Sequence, residues 1–126
     1  MWFKATAAIT QGRFSLMERT LPPGGRMPPP HSHVGNGEAY FVLDGIVEFR
    51  VTDEIFQGGS GTFVLVTAGE AHTFGNTSSE PARLLVLHVP ALDGYFEDLE
   101  RLWALPDPPG RDEELDLMRR HGMEPA

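Results

Sequence analysis

The sequence predicts an all-β domain, an antiparallel sandwich or barrel followed by short C-terminal helices. Three observations carry this. Up to about residue 92, short β-branched and aromatic runs are punctuated by Gly, Pro, Asn and Asp, the spacing of a many-stranded antiparallel fold. Past Pro90, apolar residues recur instead at helical intervals. The chain of 126 residues, 40% hydrophobic and 22% charged, suits one domain and has enough apolar material for a core. Residues 1–92 are therefore expected to form the β-barrel, and residues 93–126 a helical extension packed on the barrel or on a partner.

The elements follow in order. Asp44-Gly45 is a two-residue turn signal between apolar runs and favours the type I′ geometry of a tight hairpin. Pairing around it sets Leu43 opposite Ile46, Val42 opposite Val47, Tyr40 opposite Phe49 and Glu38 opposite Val51. Glu38, Tyr40, Val42, Val47, Phe49 and Val51 then share one face, and Phe41, Leu43 and Ile46 need cover on the other. Thr62-Phe63-Val64-Leu65-Val66 reads as a strand, Thr67-Ala68-Gly69 as a turn, and Phe74 lies on the strand face of His72. The run Leu84-Leu85-Val86-Leu87 ends at His88, which has no partner at ligand spacing and reads as a core or lumen histidine. Asp93 is placed to cap a helix whose apolar positions are Phe96, Leu99, Leu102 and Trp103, stopped by Pro106. A second helix holds Asp112, Glu113 and Glu114 in its first turn, Arg119, Arg120 and His121 in its last, and Gly122 just beyond. That order suits the helix dipole and the usual glycine stop.

Charge and composition exclude several function classes. The net charge is −8, and ten acidic against four basic residues fall within 93–126. A net acidic chain without a Lys/Arg cluster is a poor phosphate-backbone binder, so nucleic acid is not an expected partner. No apolar run approaches the roughly 20 residues of a spanning helix, and the first dozen residues lack a secretory pattern. The expectation is a soluble cytoplasmic protein with no membrane partner. With no cysteine, disulfides, thiolate metal sites and a cysteine nucleophile are excluded, and any metal must sit on nitrogen and oxygen.

His31 and His33 are two residues apart, which in a strand puts both imidazoles on one face within reach of one ion. Val34-Gly35-Asn36-Gly37 is a turn-prone loop that lets the chain reverse and bring Glu38 beside the two rings. A carboxylate on an otherwise apolar face needs such cationic or hydrogen-bonding company. His72 supplies a fourth ligand. Three imidazoles and one carboxylate form a nitrogen–oxygen set that suits one divalent Fe, Ni, Mn, Co, Cu or Zn ion.

At these residues the sequence resembles the cupin superfamily. Gly25, His31, His33, Glu38 and Gly45 stand at the spacing of its first motif. Gly61, Gly69, His72 and Asn76 match the second, with Thr67 where proline is usual, so nine of ten marked positions agree. The resemblance implies a double-sheet jelly-roll barrel holding the metal on His31, His33, Glu38 and His72, in a homodimer. More loosely, Gly94-Tyr95-Phe96-Glu97 and His121-Gly122-Met123-Glu124 look like the C-terminal stretch of small bacterial quercetin dioxygenase-like cupins.

A six-coordinate metal with four protein ligands keeps two positions open for a small molecule. The first functional expectation is a dioxygenase resembling quercetin dioxygenases, acting on an aromatic or enolic substrate in the barrel, with Glu38 as the catalytic base. Tyr40, Phe49 and Phe74 either line the substrate pocket or fill the core. The alternatives are non-redox isomerisation, epimerisation or cyclisation at the same ion, and a non-catalytic barrel that binds a small ligand.

Overall fold

Alternate residues of the long strands are buried, and this period-two pattern builds two facing sheets. A computed structural model describes residues 1–126. Along the chain run β1 (Trp2–Ala5), α1 (Ala7–Thr10), β2 (Ser15–Leu21), β3 (His31–His33), β4 (Gly37–Asp44), β5 (Val47–Val51) and β6 (Glu54–Gly58). There follow β7 (Phe63–Val66), β8 (His72–Gly75), β9 (Ala82–Val89), α2 (Asp93–Trp103), α3 (Arg111–Arg120) and β10 (Met123–Pro125). One sheet has the order β1-β2-β9-β4-β7 and the other β10-β3-β8-β5-β6, with every pairing antiparallel. The two sheets are not joined into a closed barrel; they form a jelly-roll sandwich, with α2 and α3 contributing Tyr95, Phe96, Leu117 and Met118 to the same core.

The expected β4–β5 hairpin is not formed. β4 bonds to β9 and β7, and β5 bonds to β8 and β6, so Asp44-Gly45 is the corner at which the chain leaves one sheet for the other. Gly45 has φ +78°, and a Cβ there would lie 2.5 Å from the Pro81 carbonyl oxygen. A glycine with positive φ serves a tight hairpin and a packed corner equally well, which is why the sequence signal reads the same for both. The facing survives the change of pairing. Glu38, Tyr40 and Val42 point inward from one sheet and Val47 and Phe49 from the other, whereas Val51 is half-buried. Phe41 and Ile46 are exposed on the outside.

Both C-terminal helices form where the spacing places them, and Gly122 takes the left-handed stop position at φ +76°. Asp93 does not cap α2. Leu92 is the N-cap, and the Asp93 carboxylate accepts the Ala7 N–H at 2.9 Å, satisfying the first turn of α1 instead. The chain then ends in β10, a strand the sequence pattern does not signal, which pairs with β3 so that Met123 lies beside His33.

Candidate metal centre

The four expected ligands converge from three strands. His31 and His33 face inward on β3, with Ser32 between them half-buried, as their two-residue spacing requires. His72 on β8 is the cross-strand partner of His31, and Glu38 on β4 approaches from the opposing sheet. All four are buried, and one ligand atom from each lies within 4.8 Å of the others.

Backbone carbonyls orient two of the rings. Nδ1 of His31 donates to the Pro29 oxygen and Nδ1 of His72 to the Glu70 oxygen, both at 2.9 Å. A carbonyl only accepts, so the proton sits on Nδ1 and Nε2 is the atom offered to the interior. The departure at Thr67 supports this arrangement. Its N–H, which proline would lack, and its hydroxyl both donate to Glu70 Oε1, at 2.9 and 2.6 Å. Glu70 thus closes the turn through its side chain while its carbonyl holds His72. Asn76, the last motif residue, is structural: its amide donates to the carbonyls of Leu21 and Glu80.

Glu38 sits among three imidazoles. Nε2 of His72 and of His33 lie 2.7 and 2.9 Å from Oε2, and Nε2 of His88 lies 2.9 Å from Oε1. Close as they are, the His33 and His88 nitrogens make no hydrogen bond, and both ring nitrogens of His33 are buried without a partner. Buried polar atoms are ordinarily satisfied. Such an orphaned nitrogen, aimed into a nest of three other donor atoms, fits a metal ion, and the nitrogen–oxygen set suits the divalent transition metals named above. His88 is a lumen histidine that contacts the site without belonging to the four; the cross-strand pair Glu38–His88 puts it there.

The electrostatics favour an anionic carboxylate. Burial alone would raise the Glu38 pKa, but His88, His33 and His72 outweigh it and hold the carboxyl well below its ordinary value. Burial, aided by the neighbouring His72, lowers His31 to about 4, so its ring stays neutral as a ligand must. For His72 burial works downward, yet the bond to Glu38 and the Glu70 carbonyl prevail and raise it.

Beside the cluster lies a small cavity of about 90 Å³, open to solvent. His31 and Glu38 reach its wall, which also carries Phe74, Tyr95, Phe96 and Trp103. Of the three aromatic residues singled out from the sequence, Phe74 lines the cavity. Tyr40 and Phe49 do not: they are 1% and 0% exposed and pack in the core. The wall contributed by α2, α3 and Met123 escapes a reading of strand faces, because it belongs to the helical extension.

Comparison with known proteins agrees with this geometry. The family model for the cupin domain matches residues 17–88, more than half of the chain and all four clustered residues. The chain belongs to the cupin family. Among solved structures this cupin is similar to TT1209 from Thermus thermophilus, at 32% identity and a TM-score of 0.60, over 64% of this chain and 76% of that one. It is also similar to DMSP lyase DddQ from Ruegeria pomeroyi, at 26% identity and a TM-score of 0.54, over 62% and 39% of the two chains. A sugar phosphate isomerase of the cupin superfamily from Silicibacter pomeroyi shares the fold, at 24% identity and a TM-score of 0.57, over 61% and 50%. No curated protein matches this cupin. None of its helices is long and apolar enough to cross a membrane.

Proposed function

We propose that this cupin is a metal-dependent enzyme for a small molecule, and that its reaction is the dioxygenation of an aromatic or enolic substrate, as in quercetin dioxygenases. The observation that supports it is the placement of the buried His31, His33, Glu38 and His72 cluster at the wall of an aromatic cavity. A divalent ion held by these four residues supplies Lewis acidity and coordination positions left open by the protein. The chain's own groups do the rest. Phe74, Tyr95 and Phe96 shape an apolar wall for a ring. Glu38, held anionic, is a weak base, and an acidic enol or phenol proton is the one it can take.

The alternative is non-redox chemistry at the same site, by an isomerase, epimerase or cyclase. The 26%-identical relative with a lyase's name favours it. Oxygen-electrode measurements on iron-, nickel- and manganese-loaded protein with flavonols separate the two. Stoichiometric oxygen uptake with substrate loss is expected. Substrate conversion without oxygen uptake would establish the alternative, and no turnover of any enolic compound would leave a ligand-binding module.

A further inference from the structure

Arg19 stands on β2 between Met17 and Leu21, both in the core, and its cross-strand partner is the fully buried Leu84. Its side chain therefore points toward the sandwich, where it is half-buried and opens onto the cavity beside the cluster. An inward-facing cation ordinarily meets a carboxylate. The Arg19 guanidinium makes neither a hydrogen bond nor an ion pair; it lies over the Phe74 ring, 5.4 Å from the centroid, and lines the cavity that reaches His31 and Glu38. Burial pulls its pKa down, but from so high an ordinary value that the group stays cationic.

The other charges on that cavity are matched. Arg26 at the rim pairs with Glu114 at 3.2 Å, and Glu38 is surrounded by His33, His72 and His88. What remains is one guanidinium, with five N–H donors unused, in a fork that fits a carboxylate through two parallel bonds. We propose that Arg19 anchors a substrate carboxylate, so that the protein takes a small organic anion whose apolar body lies along Phe74, Tyr95 and Phe96. The inference rests on reading the cavity as the substrate chamber of the metal centre. It narrows the substrate class from aromatic or enolic molecules to acids among them, and it explains why an inward strand position carries a charge.

Benzoate and benzamide, similar in shape and different in charge, are the probes. Each is titrated calorimetrically, at constant pH and ionic strength, into zinc-loaded full-length wild type, Arg19→Gln and Arg19→Lys. Zinc content is measured on every sample. The wild type is expected to bind benzoate at least about tenfold more tightly than benzamide. Arg19→Gln is expected to abolish that preference at unchanged zinc content, and Arg19→Lys to keep part of it; benzamide affinity should change less than about twofold throughout. Equal affinities in the wild type, or a preference that survives Arg19→Gln, would overturn the assignment. A chain that holds no zinc would sink the metal reading by itself, and the same titrations on metal-free protein would still decide the role of Arg19.

Discussion

His31 and His72 are cross-strand neighbours, yet their environments move them in opposite directions, and this sets a pH dependence for chelator-treated protein. His31 has a folded pKa of about 4 against an ordinary 6.5, so the stability it contributes is present above pH 6.5 and is lost as pH falls toward 4. His72 is raised, so its contribution is present below pH 6.5 and is lost as pH rises through its folded value. Between them, these two histidines contribute most to the stability of the metal-free protein near pH 6.5. The His31 share of the acid limb is on the order of 3 kcal/mol. Glu38, held low, adds its own loss only below its ordinary carboxylate range. Thermal melts from pH 4 to 8 on wild type and His31→Gln check this: the variant should lose much of the decline between pH 6.5 and 4, and identical acid limbs would refute the cause given. At this scale the site was largely legible. His31, His33 and Glu38 announce themselves by local spacing, and His72 by a second motif. The sequence marks His88 as a core or lumen residue but not its contact, because that contact arises from the register of β4 against β9, which no local pattern encodes. Glu70 was hidden for a similar reason: its work is done by a carbonyl and a turn-closing carboxylate.

The elements divide in the same way. Strand identity, inward facing and both long helices follow from periodicity, since periods of 2 and 3.6 are properties of the chain itself. Pairing does not follow. The two strands flanking Asp44-Gly45 have the parity of a hairpin but belong to different sheets, and only contact of Gly45 with Pro81 and Ala82 distinguishes the corner. Gly45→Ala therefore carries two penalties, a positive φ and a Cβ inside the neighbouring backbone. It should cost at least about 2 kcal/mol in urea unfolding, more than a helix or strand glycine in open space. A loss below about 0.5 kcal/mol would mean that the corner yields freely. The terminal strand is the other element that local pattern cannot supply. Met123–Pro125 is too short to show a period, and it is a strand because β3 offers an edge beside it.

The whole molecule is a sandwich that places a polar cluster between two apolar faces and covers its mouth with helices drawn from the chain's acidic end. On the outside, Phe41, Phe63 and Leu65 leave adjoining apolar positions of β4 and β7 exposed, a face that a homodimer would bury; light scattering giving a 13.9 kDa species at high concentration would refute the dimer. The sandwich encloses four buried ionisable groups within 4.8 Å, an arrangement that is costly unless an ion draws them together. The direct measurement of that claim is the metal content of tag-free protein, by elemental analysis, for wild type and His72→Ala. The account predicts about one divalent transition-metal ion per chain in the wild type and a substoichiometric amount in a folded His72→Ala. A wild type that stays empty after equilibration with iron, nickel, manganese, cobalt, copper and zinc, or a variant that keeps a full ion, would contradict it.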